Sequence, residues 1–174
     1  MKTFNVTSGK ICITDPCYGK GTWCGNYDLP AKNGEWAVEV LMSNCGSWGN
    51  RVAELQCWHV EAGKIDNGKW LRLKNEVGVD SGQAGVFCSS IYPKNKDEQG
   101  EYGNLDTFYG KACAATHSEK DSSLCWNTVD NAGVCSSSGF GDGGYDGFCQ
   151  KDKNGKIVAV KVIFIEKESE CEIS

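Results

Sequence analysis

The sequence is poor in the residues that most often announce a reaction. It holds two histidines, three prolines and no Cys-x-x-Cys pair. Without paired cysteine spacing there is no zinc ribbon or finger. No apolar run approaches the roughly 20 residues that a bilayer-spanning helix needs, so no membrane partner is expected. The lysines are scattered singly, with no cluster longer than Lys94-Asn95-Lys96, and the net charge is −5. A domain that grips a nucleic-acid polymer carries a basic face, so that role is set aside. A small nucleotide remains compatible with the acidic balance, because a few local donors hold one phosphate group. Lys2 is followed by no apolar stretch, so no signal peptide is expected and the chain reads as cytoplasmic. Gly19-Lys20-Gly21-Thr22 fails as a phosphate loop, because Asp15-Pro16 stands where the upstream glycine belongs. No cofactor is expected.

Glycine and cysteine are abundant, at 22 and 11 of 174 residues. The glycines cluster in turns, as in β proteins with many tight connections. Without an export route the cysteines are expected to be small apolar core residues and not a disulfide framework. The hydrophobic fraction is 40% and there are six tryptophans, enough for a packed core.

Alternation of apolar and polar residues predicts roughly nine or ten short strands. Lys2–Thr7 and Lys10–Thr14 read as strands joined at Ser8-Gly9. Gly34–Met42 and Arg51–Glu61 alternate, the second with Val52, Trp58 and Val60 on one face. Asp66-Asn67-Gly68 is a turn signal before Trp70–Leu73. Tyr92–Gly103 reads as an exposed loop, and Asn104–Lys120 as the one helix, capped by Asn104 or Asp106. Two hairpins follow, around Asp130–Gly133 and Lys153-Asn154-Gly155. The last strand, Lys156–Ile165, is apolar on both faces, which predicts a central position. The expected fold is mainly β: an antiparallel sandwich or strongly bent sheet with one helix on a face. A single domain is expected over residues 1–165, with an acidic tail over 166–174.

Four segments stand out: Ser8–Tyr18, containing Thr14-Asp15-Pro16-Cys17-Tyr18; Val79-Asp80-Ser81-Gly82-Gln83-Ala84-Gly85; Ser136–Tyr145, with its Gly-Phe-Gly-Asp-Gly-Gly core; and the final Asn-Gly hairpin with its apolar strand. Together they resemble a group of small proteins of phages, prophages and Firmicutes that share a domain of unknown function. The resemblance spans most of the chain. It implies a setting inside an infected cell, where proteins of this kind act against host machinery and one class sequesters nucleotide immune signals.

Asp15, Asp80 and Asp142 each end a strand beside glycine or proline. If their loops converge, the carboxylates can hold a divalent cation, accept ribose hydroxyls or serve as an acid–base pair. Each can equally cap its own turn. Asp142 and Asp146 are the weaker candidates for a cation, although the spacing is not that of a calcium loop. Ser136–Gly144 offers N–H and hydroxyl donors; Asp142 in it favours a sugar over a phosphate. Tyr18, Trp23 and Tyr145 can stack on a base, whereas Trp36, Trp58 and Trp70 are at strand spacing and expected in the core. Loop Trp23 and Trp48 can alternatively lie over the core as lids. His59 and His117 have no neighbouring partner that marks a nucleophile–base pair.

The expected ligand site is therefore Asp15, Tyr18, Trp23, Asp80, Ser81, Gln83, Ser138, Asp142 and Tyr145. Three functions remain open. The chain captures a small polar molecule, plausibly a nucleotide-derived signal. Or it hydrolyses a nucleotide or glycosidic bond through Asp15, Asp80 or Asp142. Or it blocks a host protein. A homo-oligomer is compatible with each.

Overall fold

Period-two burial dominates the computed structural model, which describes residues 1–63, 68–117 and 124–167. The Asp66-Asn67 part of one expected turn and the tail beyond residue 167 lie outside these. The strands form two antiparallel sheets. The larger holds β1 (Thr3–Val6), β4 (Gly34–Asn44), β5 (Asn50–His59), β12 (Ile157–Ile163), β11 (Gly143–Lys151) and β6 (Leu71–Arg72), in that spatial order. A short β7 (Val77–Val79) also pairs with β11. The smaller sheet runs β3 (Asn26–Pro30), β2 (Lys10–Thr14), β8 (Gln83–Cys88), β10 (Gly133–Ser137) and β9 (Trp126–Val129). One α-helix, α1 (Phe108–Thr116), completes the set. The fold is mainly β, as the alternation predicts.

The smaller sheet is the middle of three layers. Ile11, Ile13, Val86 and Val134 join Phe4, Trp36, Leu55 and Val160 of the larger sheet in one core. On the opposite face Cys12, Phe87, Val129 and Cys135 pack beneath Phe108, Ala112 and Ala115 of α1. Phe87, Tyr92 and Phe108 form an aromatic triangle there, with centroids 4.8 to 5.8 Å apart. Residues of a strand buried on both faces need apolar side chains at every position. Gln83–Cys88, buried throughout, meets this with alanine, glycine and cysteine as well as larger residues. Many cysteines are thus small core residues: Cys12, Cys57, Cys88, Cys135 and Cys149 are all buried. Every cysteine among the described residues is a free thiol.

Three points refine the reading of the sequence. First, Ser8-Gly9 joins the first two strands, as expected, but the two do not pair. Gly9 has φ +68°, and the chain crosses there from one sheet to the other: β1 pairs with β4, while β2 pairs with β3 and β8. Second, the parity of β5 changes midway. A register shift opposite Leu41 and Met42 places Leu55, Cys57 and His59 inward, so Trp58 is half-buried and Val60 exposed. One extra residue in a ladder flips every later side chain. Ala53 at the shift turns its carbonyl to the N–H groups of Phe164 and Ile165. Third, Tyr92–Gly103 is not wholly exposed. Tyr92, Pro93 and Gln99 are buried against the loops below.

The helix is shorter than expected, and neither Asn104 nor Asp106 caps it. Thr107 does: its hydroxyl accepts the Gly110 N–H at 3.2 Å. Asn104 instead accepts the Asp106 N–H, closing the turn before the helix. Gly110 lies against that turn. A Cβ there would overlap the Asn104 carbonyl oxygen and come within 2.9 Å of that of Glu101. The central position of the last strand is as read: β12 lies between β5 and β11. The Asp130–Gly133 hairpin is also present, with Asp130 at φ 50° and Asn131 at φ 52°, the pair of positive angles that a type I′ turn requires.

Gly110→Ala should therefore destabilise the protein by about 2 kcal/mol in urea unfolding, as overpacking does. Helix propensity alone predicts the opposite sign, by about 1 kcal/mol.

Candidate functional site

Asp15 organises one end of the molecule. It follows β2, and Pro16 stops the strand because it has no N–H to donate. The Asp15 side chain then turns inward and is 0% exposed. Oδ1 accepts the Cys17 N–H at 2.8 Å, an Asx turn, and the Ser81 hydroxyl at 2.6 Å. Oδ2 accepts the N–H groups of Asp80 and Ser81 at 2.8 and 2.7 Å. A carboxylate offers about four lone-pair sites, and these four bonds fill them. The Asp15–Tyr18 turn is also held from behind. Tyr92 donates its hydroxyl to the Tyr18 carbonyl at 2.7 Å, and the Gln99 amide donates to the carbonyls of Pro16 and Tyr18 at 2.5 and 2.6 Å.

The third loop joins the same end. The Ser138 N–H donates to the Gly82 carbonyl at 3.1 Å, and Gly143 pairs with Val79. Loops that are far apart in sequence, following β2, β7 and β10, thus meet at one pole.

The convergence does not make every predicted residue a contact for a ligand. Asp15 is corrected from site residue to brace: it is buried and its acceptors are occupied. Gln83 is corrected likewise. It is buried, its amide donates to the Cys113 sulfur, and its oxygen accepts the Thr116 hydroxyl at 2.7 Å, pinning α1 to the sheet. Ser138 is buried and donates to the Gly141 carbonyl at 2.9 Å, closing its own loop. Tyr145 donates to the Ser138 and Gly141 carbonyls and packs edge-on against Phe164, so its ring is not free to stack. Tyr18, Trp23, Asp80, Ser81 and Asp142 keep access to solvent. Trp23 is 79% and Trp48 68% exposed, so neither is a lid over the core.

The cation reading fails on geometry. Gly143–Asp146 is extended strand, so four steps of about 3.3 Å separate Asp142 from Asp146 by roughly 13 Å. Asp146 is moreover paired with Arg72. Among the described residues no three His, Cys, Asp or Glu side chains are grouped to hold a metal ion.

Tyr109 belongs to the pole and was missed. It stands one residue after Phe108 in α1, half-buried, with its hydroxyl beside Cys113 and Ser81. Burial and the Cys113 thiol push its ionisation up to about 12. Burial and then the Asp15 carboxylate hold the Cys17 thiol far above its ordinary range. Burial, with Cys24 beside it, raises Tyr18 in the same direction. Cys17, Tyr18 and Tyr109 thus hold their protons more tightly than free thiol and phenol groups do, the opposite of what activates a nucleophile. Neither histidine supplies a base here. His59 is buried beside Trp36 where β5 ends, accepting the Ala62 N–H on Nδ1 and bonding the Asn33 carbonyl through Nε2. His117 ends α1 and is exposed.

Cys88 is a contrasting thiol, on β8 away from the pole. The Ser8 and Ser90 hydroxyls lie 3.3 and 3.0 Å from its sulfur, and the Thr7 N–H donates at 3.4 Å. Burial raises its ionisation, but these donors outweigh it and bring the thiol down to about 6 from 9.0.

No family model, no curated protein and no solved structure matches the chain.

Asp15→Ala leaves three N–H groups and one hydroxyl without their acceptor. It should cost about 3 kcal/mol of stability by denaturant titration, against about 1 kcal/mol for Ser81→Ala. A thiol that ionises more readily in the folded than in the unfolded chain adds stability as pH rises. The stability of wild type relative to Cys88→Ser should therefore rise from pH 6 to pH 9 and be independent of pH below the folded value of about 6. Unfolding free energies measured across that window test this.

Proposed function

We propose that this chain is a binding protein that captures a small polar molecule at the Asp15 pole. The observation that carries this reading is the complete hydrogen bonding of Asp15. Among the three candidate acids, this one is buried deeply enough to be retuned for acid–base work, and its acceptors are all spent on holding loops. Beside it Cys17, Tyr18 and Tyr109 stay protonated. A hydrolase needs a group that gives or takes a proton at the reacting atom; a binder needs only fixed donors, acceptors and ring faces. Tyr18 and Tyr109 supply hydroxyls, the Ser81 oxygen, whose proton goes to Asp15, joins Asp80 and Asp142 as acceptors, and Trp23 supplies an open ring. That set suits a ribose and the edge of a base better than a phosphate. The resemblance of the three loop motifs to phage and prophage proteins favours a nucleotide-derived host signal, held and not cleaved.

A second reading rests on the exposed rings flanking the pole. Phe140 is 58% exposed with Arg51 at 5.5 Å over its ring, and the Arg51 side chain bonds the Trp48 carbonyl at 3.1 Å. Together with Trp23 these rings would suit a flat contact with a host protein, as large aromatics and arginine do in interfaces.

Cyclic mono- and dinucleotides and ADP-ribose, mixed with the protein and recovered after denaturation, separate the readings. Capture predicts retention of one of them and its release unchanged, with Tyr18→Ala and Asp80→Ala each weakening it about tenfold, or about 1.4 kcal/mol. A chemically altered nucleotide would refute capture in favour of hydrolysis. Retention of none, with one stoichiometric protein recovered from host lysate, would favour the interface.

A further inference from the structure

The edges of the two sheets approach one another far from the pole, at the opposite end of β11. Gly143 and Cys149 are six strand positions apart, roughly 20 Å. Here β3, an edge of the smaller sheet, faces β6, an edge of the larger. A parallel bridge between Ala31 and Ile157 links the sheets at this corner. Between them lies a cleft of about 330 Å³. Its floor is apolar, with Leu29, Leu73 and Ile157. Its charged lining residues are Arg72, Lys74 and Lys151, and no acid lines it.

Three cations around one cleft stand out in a chain of net charge −5. The neighbouring acids lie elsewhere. The Glu76 carboxyl, two residues from Lys74, sits against Gly144 and does not line the cleft. Asp146 pairs with Arg72 outside the cleft, leaving other guanidinium N–H groups unspent. Asp152 accepts the N–H groups of Asn154 and Lys156 in its own hairpin. No ion pair involves Lys74 or Lys151 among the described residues. Lys151 owes its position to a register shift between Gln150 and Lys151, and such shifts re-aim side chains. The volume is that of a small-molecule site, and a mostly apolar lining with a few placed charges is the usual composition of one.

We infer that this cleft binds a small anionic amphiphile, its carboxylate or phosphate head between Lys74, Lys151 and Arg72 and its apolar body on Leu29, Leu73 and Ile157. The site is independent of the pole and does not rest on the function proposed for it. Complementary charge fixes the head, and burial of the body supplies the non-directional part of the affinity.

Decanoate and decyl phosphate are suitable probes, with decylammonium, decanol and inorganic phosphate as controls, titrated by calorimetry and located by methyl NMR. At least one of the two anionic amphiphiles should bind and shift the Leu73 and Ile157 methyls. Decylammonium, decanol and inorganic phosphate should each bind at least about tenfold more weakly than that probe, the equivalent of one well-placed charge or a few buried methylenes. Lys74→Glu/Lys151→Glu alters two exposed side chains and should reduce binding by about tenfold or more, while Tyr18→Ala and Asp80→Ala leave it unchanged. If decanoate binds and decyl phosphate does not, the head is a carboxylate; the reverse assigns a phosphate. Failure of both to bind, equal binding of decylammonium, or full binding by the Lys74/Lys151 double variant would each overturn the assignment.

Discussion

A single carboxylate holds the loop end of this molecule together. Asp15 bonds its own turn through Cys17 and then reaches residues 65 and 66 positions away, Asp80 and Ser81. Local capping by aspartate is common wherever a strand ends at proline. Here the second oxygen serves a different loop altogether. Burial of a charge is tolerated only with full hydrogen bonding. Donors from two loops supply that bonding, so neither loop can move without exposing the other's debt. Gly82 passes the constraint on, since its carbonyl receives the Ser138 N–H and so ties in the glycine-rich loop.

This constraint explains why the middle sheet carries so much of the architecture. Strands β2, β8 and β10 are adjacent in it, and each of them ends or begins at the pole. The sheet is covered on one face by the larger sheet and on the other by α1, so its strands are fixed before the loops are. Rigid strands with hydrogen-bonded ends present side chains in set positions, which is how sheet proteins build recognition surfaces. The opposite end of β11 is built differently. There two sheet edges leave a gap that no helix covers, and lysines line it, as they do at many exposed edges.

Much of this was legible in the sequence, for identifiable reasons. Strand periodicity, the Asn-Gly hairpin and the two-faced apolarity of Ile157–Ile163 are local patterns with one structural reading each. The bulge at Ala53 was not legible, because alternation on either side of it is equally good and only the partner strand shows the slip. The crossing at Gly9 was hidden for a similar reason: a glycine that reverses a hairpin and one that changes sheet look alike in sequence. The common composition of the Asp15, Asp80 and Asp142 loops raised their convergence only as a condition, since no local pattern says which loops meet. Which residues face solvent was not legible either. Gln83, Ser138 and Tyr145 sit in the same motifs as Ser81 and Asp142, yet each closes an internal bond, and Tyr109 and the Lys74–Lys151 pair carry no motif at all.

The distribution of protons is what supports the capture proposed for the pole. Burial next to a carboxylate raises the cost of a second negative charge, so the same Asp15 that clamps the loops keeps the Cys17 thiol protonated. Cys88 shows what this fold does when donors and not acceptors surround a sulfur: the thiol falls to about 6. The two cysteines are near the ends of neighbouring strands; burial raises both, the Asp15 carboxylate adds to it at Cys17, and the hydrogen bonds around Cys88 outweigh it. An activated nucleophile at the pole would need the Cys88 kind of environment, and Asp15 imposes the other. A site whose central anion is spent on structure, and whose neighbours therefore keep their protons, is equipped to hold a ligand by hydrogen bonds and poorly equipped to attack it.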